Sequence, residues 1–127
     1  MISYIKNMGD FKPIGPYSFA ARLGNHIFTS GHLGVDIQTG RLVEGGIKMQ
    51  ARQALLNLSL VVEQAGGNLQ NALAITVYIT DMEHDYKELN EVFEEIFREG
   101  FPPRSTIQVS ALPMGAVVEI SAIVGVV

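Results

Sequence analysis

The chain has 127 residues, 47% hydrophobic and 17% charged, which is typical of one ordinary globular domain with enough chain for a real core. Its net charge is −4, and the nine lysines and arginines are scattered singly, so the sequence has no basic stripe for nucleic acid. The lack of cysteine excludes disulfides, a thiolate nucleophile and zinc sites built on sulfur.

The first third of the chain predicts three short strands. They cover Ser3 to Lys6, Ser18 to Leu23 and His26 to Ser30. The last two are joined by Gly24-Asn25, a pair that is typical of a two-residue hairpin turn. Residues 31 to 46 are rich in glycine and polar side chains, which predicts an extended loop with a small turn at Thr39-Gly40.

Two amphipathic helices are predicted on either side of a further strand. Apolar residues recur at helical spacing from Ile47 to Ala65. Leu73 to Thr80 alternates between two sets of side chains and is rich in β-branched residues, as strands are. Asp85, with Glu88 three residues on, resembles a capping box, so we expect the second helix to run from about Tyr86 to Arg98. Its expected buried stripe is Tyr86, Leu89, Val92, Phe93, Ile96 and Phe97.

The last two strands complete the predicted fold. They cover Ser105 to Ser110 and Ala116 to Val124. The order of elements is then three strands, a helix, a strand, a helix and two strands. This order favours an α+β fold in which two helices pack on one face of a mixed sheet of about six strands. We expect residues 1 to 127 to form a single domain.

Alternation assigns the strand residues to two faces of the sheet. The face that meets the helices would carry Leu73, Ile75, Val77, Ile79, Ser105, Ile107, Val109, Val118, Ile120, Ala122 and Val124. The opposite face would carry Thr76, Tyr78, Arg104, Thr106, Gln108, Val117, Glu119, Ser121 and Ile123. The second set is too apolar for a free surface and too polar for a core. We therefore expect another copy of the chain to cover it.

Arg104 is the leading candidate for a functional residue. It follows Gly100, which can close the preceding helix, and Pro102-Pro103, which prevent the helix from continuing and stiffen the turn. A guanidinium is permanently charged and presents a planar fork that matches a carboxylate. At the mouth of a strand, Arg104 is thus a candidate anchor for a small acid.

Glu119 lies in an otherwise apolar strand, where a carboxylate is costly unless it has a partner. Two interpretations stay open. Glu119 forms a buried salt bridge with Arg104, or it positions a water molecule while Arg104 holds a substrate carboxylate. Burial would raise the pKa of Glu119 and a nearby arginine would lower it, so the sequence does not fix the sign of the shift.

Five further residues are candidates for the functional site. Tyr17 is a phenol on a stiff loop, and Gly31, after Ser30, ends a strand where the backbone can approach a ligand closely. Asn90 falls on the buried side of the second helix, where most asparagines simply tie a helix to a loop. His32 could titrate near neutral pH, but a lone histidine on a loop more often only makes a hydrogen bond. Ser30 has no base motif beside it, so we do not expect it to act as a nucleophile.

A series of short motifs runs through the chain in a specific order. They are Ile14-Gly15-Pro16-Tyr17-Ser18, Thr29-Ser30-Gly31, Thr39-Gly40, Gln53-Ala54 with Asn57-Leu58, Ala65-Gly66, Asn90-Glu91-Val92-Phe93, Pro103-Arg104-Ser105, and Leu112-Pro113 with Glu119-Ile120. In this order and spacing they resemble the reactive intermediate deaminase family, RidA/YjgF, over nearly the whole chain.

The resemblance implies a homotrimer with the chorismate-mutase-like α+β fold and with clefts between subunits. It also implies hydrolysis of enamines and imines, such as 2-aminoacrylate and 2-iminopropanoate, to a 2-keto acid and ammonia, without a cofactor or metal. By match to the family pattern, Arg104 would pair with the substrate carboxylate and Glu119 would orient or activate the water. The rest of the implied site is Tyr17, placed with these two as catalytic, and Ser30, Gly31, Asn90 and Thr106, which would bind the substrate.

Five positions depart from the commonest family pattern. They are Phe19, His32, Gly34, Pro103 and Thr106. Arg104 and Glu119 are kept, so the implied reaction class is retained while the lining of the pocket differs. His32 close to the cleft would alter the pH profile or the polarity of the accepted side chains.

Two alternatives to catalysis follow from the same residues. A non-catalytic binder of small keto acids or other carboxylates would need Arg104 but have little use for Glu119. Activity on RNA would need basic and aromatic clusters, which the sequence lacks. We therefore expect small imino or keto acids and further copies of the chain as partners, with no nucleic acid and no membrane. Without a presequence or a long apolar run, the expected location is cytoplasmic.

Overall fold

The computed structural model describes all residues from 1 to 127 and has two helices packed on one face of a mixed β-sheet. The helices are α1 (Gly46–Gln64) and α2 (Met82–Ile96). The strands are β1 (Ser3–Ile5), β2 (Ala20–Leu23), β3 (His26–Thr29), β4 (His32–Leu33), β5 (Val35–Asp36), β6 (Arg41–Leu42), β7 (Ala72–Ile79), β8 (Arg104–Gln108) and β9 (Val118–Gly125). The predicted α+β fold is confirmed.

The main sheet has the strand order β1-β2-β3-β9-β7-β8, and β4 also pairs with β9. Only β7 and β8 run parallel within it, while the other pairs are antiparallel. The strands β5 and β6 form a separate small hairpin. In this order β9 lies near the middle of the sheet and β8 lies at its edge.

The hydrophobic core lies between the sheet and the two helices. Every second residue of β9, from Val118 to Val124, is buried, and so are Ile75, Val77 and Ile79 of β7, as alternation predicts. Leu73 is an exception, since 50% of its surface is exposed. A register shift between Ala72 and Ala74 removes Leu73 from the alternation, because a bulge adds an extra residue to one strand of the pair.

The strand β8 corrects the predicted division of the faces. Arg104 pairs with Ile75 and Thr106 pairs with Val77, and paired residues of neighbouring strands point to the same face. Arg104, Thr106 and Gln108 therefore lie on the helix side, whereas Ser105 and Ile107 face away from it. The prediction that placed Arg104 on the face of Glu119 was wrong. Because β8 is an edge strand, its polar side chains on this side can reach the rim of α2 instead of entering the core.

The helix α2 begins earlier than the sequence indicated. Its N-cap is Asp81, whose Oδ1 accepts a hydrogen bond from the backbone N–H of His84 at 3.1 Å. Asp85, the predicted cap, lies within the first turn and is buried, and Tyr86 is 42% exposed instead of belonging to the buried stripe. Neither helix is both long and apolar enough to span a membrane.

The segment predicted as an extended loop contains the three short strands β4, β5 and β6. It is held by Asn57 of α1, which is fully buried. The Asn57 Nδ2 donates to Leu33 O at 3.2 Å and to Val35 O at 2.8 Å, and its Oδ1 accepts from Gln53 Nε2 at 2.9 Å. This buried amide fixes β4, and hence the loop beside the middle of the sheet, against α1.

We expect Asn57→Leu to lower the free energy of unfolding by about 2 to 3 kcal/mol, because it leaves two backbone carbonyls without their hydrogen-bond donor. Urea denaturation at a fixed protein concentration measures the change. Gln64→Leu is the matched control, since it removes an exposed amide that donates from the same helix to Asn7 O. Equal losses in the two variants would contradict the special role of the buried amide.

Candidate active site

Arg104 is held in place by two hydrogen bonds. Its Nε donates to Thr106 Oγ1 at 3.0 Å, and its Nη2 donates to Asn90 Oδ1 at 2.6 Å. Both acceptors were predicted site residues, and the structure brings them to the guanidinium. Of the five N–H groups of an arginine, these bonds use two, so three remain free, including both on Nη1.

Two aromatic rings of α2 support the same guanidinium. The Cζ of Arg104 lies 4.6 Å from the centroid of the Phe93 ring and 5.7 Å from that of Tyr86. These contacts were not predicted, although Tyr86, Asn90 and Phe93 have the spacing of four and three residues that places side chains on one helix face. Surface depressions flank Arg104 on both sides, so its free N–H groups are within reach of a ligand.

Arg104 has no carboxylate partner within the chain. The ion pairs join Lys48 to Glu91, Arg52 to Glu95, and His84 to Asp85. The interpretation in which Arg104 and Glu119 form a buried salt bridge was therefore wrong for a single chain. A cation that is held by an amide, a hydroxyl and two rings, yet lacks an anion, is suited to bind one.

Glu119 is the second residue of β9 and is paired with Tyr78 on one side and with Leu33 on the other. It alternates with the buried Val118 and Ile120 and so points to the face away from the helices. Burial raises the pKa of the Glu119 carboxyl above its ordinary value of 4.5. A carboxylate whose pKa is moved towards neutrality is better able to exchange protons with a bound molecule.

Gly31 gives Glu119 the space that it occupies. A Cβ atom at position 31 would lie 2.5 Å from Glu119 Oε1, which no real side chain tolerates. The sequence predicted that the backbone at Gly31 can approach a ligand closely. In the single chain, the group that lies close to this backbone is the side chain of Glu119. Any residue larger than glycine would displace the carboxylate.

Ser30 precedes Gly31 in the chain, and Tyr17 lines a cavity together with Gly31. The backbone N–H and the hydroxyl of Ser30 both donate to Phe19 O, at 2.9 and 3.2 Å, so the hydroxyl is used to hold the loop. Tyr17 is 47% exposed, and its hydroxyl makes no hydrogen bond within the chain. Tyr17 and Gly31 together border a small cavity that also includes His32.

His32 is buried, which favours a hydrogen-bonding role over titration near neutral pH, as the sequence also does. It is only 4% exposed, its ring lies 5.2 Å from that of Phe19, and its Nε2 lies 3.4 Å from Phe19 O. Burial lowers the pKa of His32 from 6.5 to about 4, and the contact with Phe19 O opposes this only in part. The imidazole is therefore neutral at physiological pH.

The predicted site residues fall into two groups in one chain. Arg104, Asn90 and Thr106 form the first, which we call the arginine group, at the rim of α2. Glu119, Gly31, Ser30 and Tyr17 form the second, which we call the glutamate group, around β9 and the loop before β4. Because Arg104 and Glu119 point to opposite faces of the sheet, a single chain does not bring the two groups together.

The chain is similar to known proteins in sequence and in fold over most of its length. A family profile described as endoribonuclease L-PSP matches residues 8–126. A relative from Dermatophagoides farinae, named 2-iminobutanoate/2-iminopropanoate deaminase, is 39% identical over 89% of this chain and 88% of its own length. The crystal structure of RidA from the Antarctic bacterium Psychrobacter sp. is 40% identical with a TM-score of 0.91, covering 98% of this chain and 99% of that chain. The crystal structure of E. coli TdcF with bound serine is 35% identical with a TM-score of 0.89, covering 97% of this chain and 98% of that chain.

We expect His32 to make the protein less stable as the pH falls from about 6.5 towards 4. The folded pKa is depressed, so over this range the unfolded chain binds a proton at His32 that the folded chain does not, and stability is lost as the pH falls. The contribution amounts to about 3 kcal/mol at most, since each unit of pKa shift is worth about 1.4 kcal/mol.

This expectation is checked by urea denaturation of the wild type and of His32→Gln at several pH values. The difference in unfolding free energy between the two should shrink by most of that amount between pH 7 and pH 4. His26→Gln is the matched control, because His26 is exposed on β3. A difference that stays constant with pH in His32→Gln would contradict the depressed pKa.

Proposed function

Because the chain belongs to the endoribonuclease L-PSP family, which includes the RidA/YjgF proteins, we propose that it is an imine deaminase of the 2-iminobutanoate/2-iminopropanoate type. Such an enzyme hydrolyses a 2-imino acid, or the enamine that tautomerises to it, to a 2-keto acid and ammonia. The observation that carries the proposal is the unpaired Arg104, positioned by Asn90 and Thr106 with three N–H groups free. Relatives that bear this enzyme's name at about 40% identity support the same reaction.

The arginine group would bind the carboxylate of the substrate. With Nε and one N–H of Nη2 already bonded, the outer end of the guanidinium offers N–H groups on both Nη1 and Nη2, which suits the two oxygens of a carboxylate. The rings of Phe93 and Tyr86 reduce the access of water to the guanidinium and so strengthen the ion pair. The relative TdcF, whose crystal structure contains serine, supports a ligand of amino-acid size.

Glu119 would handle the water and the protons of the reaction. A protonated imine carbon is already electrophilic, so a positioned water and a proton acceptor suffice for attack. The water oxygen bonds to C2, one of its protons passes to Glu119, and the C=N bond becomes a C–N single bond. Glu119 then returns the proton to the nitrogen. As the C–N bond breaks and C=O forms, the remaining hydroxyl proton passes to Glu119, and the departing ammonia takes it up and leaves as ammonium. The raised pKa of Glu119 suits these proton transfers.

The complete site would form between copies of the chain. Arg104 and Glu119 lie on opposite sides of the sheet, so the arginine group of one copy has to meet the glutamate group of another. The face that carries Glu119 also exposes Phe28 and Ile107, 47% and 44% of whose surfaces are accessible, and a neighbouring copy would cover them. The homotrimer that the resemblance implies provides such an arrangement, and within it Tyr17 would complete the wall of the cleft.

Binding of a keto acid without catalysis is the alternative that uses the same arginine. It leaves the position of Glu119 unexplained, because a desolvated carboxylate hinders the binding of an anion beside it. The family description also names an endoribonuclease, but the net charge of −4 provides no attraction for a polyanion. Both considerations favour imine hydrolysis.

We expect Arg104→Ala to lower kcat/KM for 2-iminopropanoate by about 100-fold, because charge-assisted hydrogen bonds to the carboxylate are lost. Glu119→Gln should lower kcat by a similar factor or more, because general acid–base catalysis typically accelerates a reaction 100-fold to 10,000-fold. Binding of the substrate carboxylate by Arg104 should be retained in this variant. The imine is generated in situ by an amino-acid oxidase, and its loss is followed by trapping with semicarbazide.

Arg98→Ala is the matched control, because Arg98 is exposed just beyond the end of α2 and donates only to Glu95 O. A wild type that is inactive on several imino acids, yet binds pyruvate through Arg104, would overturn the deaminase in favour of the carboxylate binder. Sedimentation of each variant establishes that it assembles as the wild type does.

Gly31→Ala should lower kcat about 10-fold or more with a smaller effect on pyruvate binding, because the added Cβ displaces the Glu119 carboxylate but leaves the arginine group intact. Gly125→Ala is the control in β9, where the new Cβ would meet only the flexible end of Leu73 at 3.3 Å. The same assay measures both variants. Full activity in Gly31→Ala would show that the position of Glu119 is not needed for the reaction.

A further inference from the structure

Each of the two surface depressions that flank Arg104 is lined by one carboxylate side chain. The carboxylate is Glu83 in the first, whose volume is about 590 Å³, and Glu94 in the second, whose volume is about 260 Å³. The other lining residues are Met82, Tyr86 and Thr106 in the first depression and Asn90, Phe93, Phe101 and Pro102 in the second. Since a water molecule takes up about 30 Å³ of the liquid, either depression has room for an amino-acid side chain.

Arg104 is the only cation in the lining of either depression. Glu83 and Glu94 are exposed, and neither forms an ion pair with Arg104, because the ion pairs of the chain join other residues. Lys87 of α2 and Arg98, just beyond its end, line neither depression. The charged groups around the guanidinium are therefore two carboxylates, which face it without neutralising it through a direct contact.

Binding of a substrate changes the balance of charge at this place. In the proposed function the substrate carboxylate pairs with Arg104 and neutralises it. Glu83 then remains as a negative charge on one side of the bound molecule and Glu94 on the other. In the proposed assembly, Glu119 of a neighbouring copy adds a third carboxylate across the cleft. Charges act over about 8 Å at physiological ionic strength, so a side chain that extends into either depression meets a negative field.

We propose that Glu83 and Glu94 select imino acids by the charge of the side chain, favouring cationic and neutral side chains over those with a second carboxylate. The proposal rests on the deaminase function and specifies its substrate class. An unpaired like charge is a common means of excluding a ligand. Because a carboxylate lines the depression on each side of Arg104, the selection holds whichever depression receives the side chain.

The test uses two pairs of imino acids that match in shape and differ in charge. Asparagine and aspartate give imines with CH₂CONH₂ and CH₂COO⁻ side chains, whereas arginine and citrulline give imines that end in a guanidinium and in a neutral urea group. Amino-acid oxidases generate all four in situ. At low ionic strength we expect the wild type to prefer the asparagine imine over the aspartate imine by about 10-fold in kcat/KM, and the arginine imine over the citrulline imine by about 3-fold. Added salt should reduce both preferences.

Glu83→Gln and Glu94→Gln each remove one charge and keep the shape of the side chain. The variant whose depression receives the substrate side chain should lower both preferences about 3-fold, and the double variant should abolish them. Glu88→Gln is the matched control, because Glu88 is an exposed carboxylate of α2 that lines neither depression. It changes the net charge of the chain by the same amount as each single variant. Each preference is a ratio within one variant, so a general loss of activity cancels.

Hydrolysis of 2-iminopropanoate, whose methyl side chain is uncharged, serves as the reference. If the wild type hydrolyses it but shows no preference by charge, or if the double variant keeps the preferences of Glu88→Gln, the selection by Glu83 and Glu94 is overturned. The selection is also overturned if none of the four longer imines is hydrolysed, since neither depression then receives a side chain. If 2-iminopropanoate itself is not hydrolysed, the deaminase function fails, and the proposal falls with it.

Discussion

The parallel pairing of β8 with β7 is the constraint on which the arrangement of the site depends. By setting Arg104 beside Ile75, it sends the guanidinium to the side of the sheet that α2 covers. There Asn90, Phe93 and Tyr86 surround it, all on one face of α2. A shift of one residue would turn Arg104 to the other face and replace it by Ser105. The register of one edge strand thus decides which groups the functional cation meets.

The second group depends on a different part of the fold, near the middle of the sheet. Glu119 occupies space that only a glycine at position 31 leaves open, and β4, which follows Gly31, is paired with β9 and tied to α1 by the buried Asn57. The space that Glu119 occupies is therefore left open by a residue that is distant from it in sequence and carries no charge.

The sequence predicts those features that local patterns determine. The span of α1 and the strand β7 follow from periodicity. The choice of Arg104 and Glu119 as site residues rests on the position of one charge at a strand mouth and of the other in an apolar strand, and it stays a prediction. The face of Arg104 was predicted wrongly because it depends on pairing with a strand about 30 residues away, which local alternation does not encode. The burial of His32 was missed for a related reason, since the ring of Phe19 that covers it belongs to another loop. The contact of Phe93 with Arg104 could have been predicted, because Phe93 lies three residues after Asn90 and therefore on the same face of α2.

The location of Arg104 and Glu119 on opposite faces of the sheet has a chemical consequence. An arginine and a glutamate that met within one chain would form an ion pair, which would occupy the carboxylate site and lower the pKa of the glutamate. In this fold neither charge has such a partner, so Arg104 keeps three free N–H groups and burial alone acts on the pKa of Glu119. In the proposed assembly the charges come near each other only across a cleft, where a substrate separates them. The same separation leaves Arg104 unpaired and the pKa of Glu119 raised, which is the state that the proposed reaction needs.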